Sequence, residues 1–311
     1  DYPNNTITLI VPTTAGGGYD LGARNVARFL PKYLPRKVNV VVDNMPGAGQ
    51  MIGVHAIYAA KPDGYTIGAF NAIGALMSQF LRSESVKFDV NKFNFLALWQ
   101  QDVRAIGLST SMAAIKTWDD LVKRSAQKPI LTGTGGIGTR QHIDPLMIEA
   151  VTDLKLRYIH YDGSAQIEPA MGRKEVEMEV GQVSAISNLP EQKIGRGFCV
   201  LDDQRYALTP DWPTAVEVGM PKEAFEKLMA LPFFGVDRAL AAPPGTDPAI
   251  VEILRKALWE TFKDPEYQAQ VKKMKDNLNP MQGKAYQTLV AKKIQSARDN
   301  KALVDKLKFK K

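Results

Sequence analysis

The chain has 311 residues, about twice a common domain length, so two domains are expected. With 45% hydrophobic and 23% charged residues it has a globular composition, and no apolar stretch approaches the roughly 20 residues of a membrane-spanning helix. The net charge of +7 suits an anionic ligand, but much of the excess lies at Lys292, Lys293, Lys301, Lys306, Lys308, Lys310 and Lys311, mixed with Asp299 and Asp305. That tail reads as a solvated helical face, and no strip of aromatic and basic residues points to nucleic acid.

The opening Asp1-Tyr2-Pro3 carries neither a basic n-region nor an apolar core. It reads as the mature end left by signal-peptide removal, or as a trimmed end. Residues 7–11 are a short β-rich run ending at Pro12, followed by a glycine-rich loop. Over 21–34, Ala23, Val26, Ala27, Leu30, Tyr33 and Leu34 fall on one helical face, and Pro31 should kink that helix or end it early. Residues 38–42 predict a second strand, 44–49 a turn into another helix, 62–64 a turn, and 65–70 a third strand. Such alternation predicts a largely parallel sheet covered on both faces.

The plan then repeats. Thr117-Trp118-Asp119-Asp120 can cap a helix, with the threonine hydroxyl and the acidic third position both meeting free backbone N–H groups. Residues 129–132 predict a strand, followed by a second glycine-rich loop and a helix to about Val151; 156–161 and 176–180 are further strands. The single cysteine, Cys199, excludes an internal disulfide and lies in the apolar run 198–201, as a buried strand thiol would. Residues 233–240 are a strand candidate. Thr246-Asp247-Pro248 then supplies cap chemistry for a helix whose stripe is Ile250, Val251, Ile253, Leu254, Ala257, Leu258 and Phe262. Asp264-Pro265 opens another helix, with Tyr267, Val271 and Met274. These helices have no sheet of their own and are expected to return to the first unit.

Two loops carry the chemistry. In the first, Pro12-Thr13-Thr14-Ala15-Gly16-Gly17-Gly18-Tyr19-Asp20, three glycines let the backbone turn sharply and approach a ligand closely. The free N–H groups of the following helix favour an anion. The alternative is a tight strand-to-helix turn capped by Asp20. No Gly-Lys-Ser/Thr follows, so it is not a Walker loop. The second loop runs Thr132-Gly133-Thr134-Gly135-Gly136-Ile137-Gly138-Thr139-Arg140-Gln141-His142. Gly133 to Gly138 fit the spacing of a dinucleotide-binding turn, with Asp162 near a later strand end. The backbone amides and the hydroxyls of Thr134 and Thr139 would cradle a carboxylate equally well, and one such loop per α/β unit favours two jaws on one small ligand.

Catalytic signals are weak. There is no Gly-x-Ser-x-Gly elbow and there are only three histidines. The His142/Asp144 and His160/Asp162 doublets lack a third ligand, so no metal is expected.

The motifs Ile10-Val11-Pro12, Ala15-Gly16-Gly17-Gly18-Tyr19-Asp20, Val42-Asp43-Asn44-Met45-Pro46-Gly47-Ala48-Gly49 and Lys61-Pro62-Asp63-Gly64-Tyr65-Thr66 stand in a telling order. With Tyr161-Asp162-Gly163, Trp212-Pro213-Thr214, Glu217-Val218-Gly219 and Ala242-Pro243-Pro244-Gly245-Thr246, the chain resembles the solute-binding proteins of tripartite tricarboxylate transporters, the Bug receptors, over nearly its whole length. The resemblance implies an α/β fold of two lobes, the type II periplasmic-binding-protein (Venus flytrap) class. Residues 1–100 plus 234–311 would form one lobe and 101–233 the other, with crossings near 101 and 232. It implies a periplasmic receptor, not an enzyme, that closes on a small di- or tricarboxylic or aromatic acid and delivers it to membrane permease subunits. It would act as a monomer without a cofactor, the runner-up being a dinucleotide-dependent oxidoreductase using the loop at 133–138. Carried onto this chain, the site would comprise Thr13, Thr14, Ala15, Gly16, Gly17 and Tyr19 in one lobe, and Gly135, Gly138, Thr139, Arg140, Tyr161 and Gln182 in the other. Thr13-Thr14 and Tyr19 depart from the family pattern. Tyr19 either roofs the pocket against a planar ligand or packs at the helix start, and Arg140 either pairs with a second carboxylate or is an exposed helix-start arginine.

Overall fold

A strand buried on both faces needs apolar residues throughout, and β1 (Ile7–Val11) is such a strand: Ile7, Leu9, Ile10 and Val11 are all buried. A computed structural model describes residues 2–16, 18–81, 83–137, 139–161, 166–274 and 278–307. The chain divides into two compact units, Asp1–Gln101 with Val236–Asp299, and Asp102–Gly235 with Asn300–Lys311.

In the first unit, β1 is followed by α1 (Gly18–Phe29), β2 (Val40–Asn44), α2 (Met51–Ala59), β3 (Thr66–Phe70), α3 (Ala72–Leu81) and β4 (Asn94–Asp102). α1 stops at Phe29 because Pro31, which has no N–H to donate, opens a separate 3-10 turn over Leu30–Lys32. β1 pairs in parallel with β2 (Ile7 opposite Val40, Val11 opposite Asn44) and with β3 (Thr8 opposite Thr66).

The second unit contains β5 (Arg104–Ser109), α4 (Trp118–Gln127), β6 (Ile130–Thr134), α5 (Arg140–Val151), β7 (Leu156–His160), α6 (Ile167–Gly172), β8 (Met178–Gln182), α7 (Val183–Ile186), β9 (Gly195–Leu201) and α8 (Lys222–Ala230). The predicted capping box opens α4: the Thr117 hydroxyl accepts from the Asp120 N–H, and the Asp120 carboxylate accepts from the Thr117 N–H. Among the described strands the order is β7-β6-β8-β5-β9, with β6 parallel to β7 and β8, and β5 antiparallel to β8 and β9. Cys199 is fully buried in β9.

The chain then returns to the first unit as β10 (Val236–Ala242), α9 (Pro248–Lys263), α10 (Pro265–Lys273), β11 (Met281–Gln282) and α11 (Gly283–Asp299). Leu254, Leu258, Phe262 and Tyr267 of these helices share one core with Leu9, Val26, Leu30 and Trp99. The sheet order is β11-β4-β10-β3-β1-β2, and the sheet is mixed rather than largely parallel. β10 inserts beside β3 antiparallel, and β11 pairs antiparallel with β4. The last helix, α12 (Lys301–Leu307), groups with the second unit, not with the first as expected; it buries Val304 and Leu307, an apolar pair three residues apart. No helix among the described residues is long and apolar enough to cross a membrane.

Asp264 ties the returning helices to the 3-10 turn that follows α1. Its carboxylate caps α10 through the N–H groups of Glu266 and Tyr267 and accepts from the Tyr33 hydroxyl and the Lys32 ammonium. Burial pushes its pKa up, but these four donors outweigh burial and hold it at about 2. A depressed carboxylate pKa stabilises the fold above the unfolded-state value and loses that contribution as pH falls. The thermal midpoint should therefore drop as pH is lowered from about 4 to 2, and Asp264→Asn should flatten that part of the profile, as measured by circular dichroism melts.

Candidate functional site

In each unit the glycine-rich loop leaves the carboxyl end of a parallel strand and feeds a helix, where backbone amides converge in an open α/β sheet.

In the first unit the loop is fastened from below by one carboxylate. Asp20 is 1% exposed; its Oδ2 accepts from the Gly16 N–H (2.8 Å) and from Arg24 Nε (2.9 Å), and its Oδ1 accepts from Asn44 Nδ2 (3.0 Å). Asn44, at the end of β2, also donates to the Thr13 carbonyl (3.0 Å). Burial raises the Asp20 pKa, but Arg24, Gly16 and Asn44 together pull it below the ordinary carboxylate value, so it stays ionised at neutral pH. Asp20 is thus a tether reaching back into the loop and not a simple helix cap.

The Gly16 N–H is spent on Asp20 and the Thr13 N–H on the Val11 carbonyl, while Thr14 and Ala15 stand exposed. The Thr13 hydroxyl is buried with no hydrogen-bond partner among the described residues. Gly16 has φ +87°, and nothing lies within 4 Å of the place a Cβ would take, so its surface is open to an incoming group. Tyr19 packs: its hydroxyl donates to the Asp237 carbonyl (2.8 Å) and its ring meets Trp99 edge-on. Gly17 lies outside the described residues.

In the second unit Thr134 ends β6. Its hydroxyl meets His160 Nδ1 at 2.7 Å and its carbonyl accepts from the Tyr161 N–H (3.0 Å). Gly136 turns the loop with φ +115°, and a Cβ there would come within 3.3 Å of the Tyr161 carbonyl. The Thr139 hydroxyl donates to the Gly136 carbonyl (2.7 Å), so it closes the loop and leaves the start of α5 without a side-chain cap. Gly135 is half-buried beside them, and Gly138 and Asp162 lie outside the described residues. Tyr161 aims its hydroxyl at Glu175. The dinucleotide spacing dissolves here: Gly133 is a residue of β6, kept small because a Cβ would come within 2.7 Å of Ile167.

Arg140 is not an exposed arginine. Its guanidinium donates to the Phe233 carbonyl and to Asp144 Oδ1, and Asp144 Oδ2 lies 2.7 Å from Arg104 Nε. Asp144 is fully buried and Arg104 is 3% exposed, so two guanidinium groups share one carboxylate behind the loop. Gln182 sits at the end of β8 and donates to Asp102 Oδ2 (2.7 Å). His142 is buried edge-on against Tyr158 and His160, and burial followed by the His160 charge lowers its pKa to about 4. Among the described residues no group of three metal-ligating side chains converges.

Sequence reasoning missed Asn44 as a loop anchor, Arg104 and Arg238 as buried cations, and Glu179. A charged residue inside an apolar strand was the available signal for Arg104, Glu179 and Arg238.

The two mixed α/β sheets with their covering helices have the fold of solved solute-binding proteins. The family model described as the tripartite tricarboxylate transporter family receptor, TctC, matches residues 23–309. Protein BugT of Bordetella pertussis is 28% identical over 271 residues, 84% of this chain and 78% of that protein. A TctC solute-binding protein from Polaromonas superposes with a TM-score of 0.81 at 25% identity, covering 98% of this chain and 100% of the other. MatC of Rhodopseudomonas palustris, solved with bound malate, gives 0.70 at 20% identity over 97% and 100%. The chain belongs to the TctC family of tripartite tricarboxylate transporter receptors, which bind solutes and are not enzymes. The dinucleotide-oxidoreductase alternative is thereby set aside.

Glu179 on β8 is 3% exposed, and its Oε2 has no hydrogen-bond partner among the described residues. Burial first, then Glu168, raises its pKa to about 7, against the opposing pull of Arg104. A raised carboxylate pKa favours the fold below the unfolded value of 4.5, and that contribution is lost as pH climbs through 7. Melts should show stability declining between pH 4.5 and 7, by about 3 kcal/mol at most. Glu179→Gln should remove the decline; an unchanged profile in that variant would contradict the assignment.

Proposed function

We propose that the chain is a periplasmic receptor for a small carboxylate, which it presents to the membrane subunits of a tripartite transporter. The observation that carries this reading is the pair of loops, each delivered by a parallel strand to the start of a helix and each held open by internal hydrogen bonds. Thr13, Thr14, Ala15 and Gly16 are the proposed contacts in the first unit, with Gly135, Thr139 and the start of α5 in the second. Malate bound to MatC, which shares the fold, supports the carboxylate class. Backbone amides suit this task, because a carboxylate withdrawn from water needs its lone pairs satisfied yet must be released again. Binding involves no covalent chemistry.

The test is a thermal-shift screen with acetate, malate, adipate, citrate, benzoate and NAD. Ligand bound only by the native state raises the midpoint, so at least one acid should shift it and NAD should not. A shift with NAD alone would overturn the reading. For the acid that binds, Gly16→Val and Gly136→Val are expected to weaken affinity at least about tenfold each, because positive φ is strained for a branched residue and the loop must move. Calorimetric titration of the two variants tests the two loops separately, and unchanged affinity in either would remove that loop from the site.

A further inference from the structure

Glu179 stands in the middle strand of the second sheet, opposite Gly133 of β6 on one side and Gly107 of β5 on the other. Gly181, two residues on, shares its face, and a Cβ there would lie 3.0 Å from Glu179 Oε1. The carboxyl therefore leans along β8 toward the end at which the parallel strand β6 releases the second loop. Apolar side chains close the space above these glycines. A Cβ on Gly133 would meet Ile167 at 2.7 Å, and one on Gly107 would meet Ile186 and Leu189 at 2.8 Å.

The nearest cation lies across the sheet. Arg104 is opposite Gln182 in register, so its side chain leaves the other face from Glu179, where Asp144 holds it at 2.7 Å. On the face of Glu179, α6 contributes a second acid, Glu168, whose Oε2 accepts from Gln192. Arg173 and Glu175 after α6 pair with each other, and Glu177 pairs with Arg124. β6 and α7 carry no titratable side chain, and Glu191 and Lys193 beyond α7 are exposed. Glu179 Oε2 has no hydrogen-bond partner among the described residues, and a buried carboxyl so placed favours its protonated form. Burial first, then Glu168, set its pKa at about 7 against the pull of Arg104, so a nearby charge decides its state.

We infer that capture of an anion by the second loop is coupled to proton uptake by Glu179. A carboxylate at Gly135 and the start of α5 is a second negative charge at the end of the sheet toward which Glu179 leans. Like charges disfavour ionisation, so the bound anion raises the Glu179 pKa and a proton passes from solvent to its carboxylate. An anion that drives proton uptake binds more weakly as pH climbs through the free-state pKa. Glu179 is a positioning residue that acts through the charge it carries. The inference rests on the carboxylate-receptor reading and adds a pH dependence to it.

The test is calorimetric titration of the best-binding acid of the screen into wild type and Glu179→Gln, at about pH 5.5 and 8.5. Wild type should lose about fivefold or more in affinity between these values relative to Glu179→Gln, a comparison that cancels ionisation of the ligand itself. Titrations near pH 7.5 in buffers of different ionisation enthalpy should show uptake of roughly half a proton in wild type and distinctly less in the variant. A role in packing alone would weaken binding equally at both pH values. That result, or the same pH dependence in both proteins, would overturn the inference while the receptor reading stood. If no acid binds the wild type at either pH, the receptor reading falls and the inference with it. Should Glu179→Gln fail to fold, Glu179→Met, uncharged and close in length, takes its place in the same comparison.

Discussion

Each glycine loop is controlled by one buried aspartate on the helix that follows it. A loop that exposes its backbone cannot be held by packing over that backbone, so it must be held from behind. Asp20 does this by drawing the Gly16 N–H, Asn44 and Arg24 onto a single carboxylate, joining the loop, the end of β2 and α1. Asp144 does it in the second unit by engaging Arg140, at the first position of α5, and Arg104, at the first position of β5. In the Asp144 cluster, where Arg104 and Asp144 are both buried, removing one partner strands the other, a cost of about 3–5 kcal/mol; Arg24 beside Asp20 is half exposed, and there it is the hydrogen bonds to Gly16 and Asn44 that hold the loop.

Buried ionic groups also lie behind both helix starts. Arg238 lies under the first helix start, and Arg104 and Arg140 share Asp144 behind the second. The hydroxyls that look like donors from sequence are largely occupied internally: Thr139 on Gly136, Thr134 with His160, Tyr161 towards Glu175 and Tyr19 on Asp237. What the two loops leave exposed is therefore backbone more than side-chain hydroxyls.

Most of the architecture was legible because it is written in local signals. The apolar run of β1, the stop at Pro31, the Thr117 capping box and the Asp264-Pro265 start each depend on neighbours close in sequence. The mixed first sheet was not legible, since the direction in which β10 enters beside β3 is a long-range fact. The two candidate loops were legible as glycine-rich turns, but their internal hydrogen bonding was not. Asp20 looked like a cap, Arg140 like a ligand partner or a surface arginine, and Gly133 like part of a cofactor turn. Their roles are fixed by Asn44, by Asp144 with the Phe233 carbonyl, and by Ile167, partners that a linear reading does not bring together.

The most direct test is a crystal structure of the chain grown with the acid that gives the largest thermal shift. A carboxylate oxygen should lie within hydrogen-bond distance of backbone N–H groups of the 13–18 loop or of the loop that opens α5. An acid bound with both loops untouched would contradict the account, whatever its affinity.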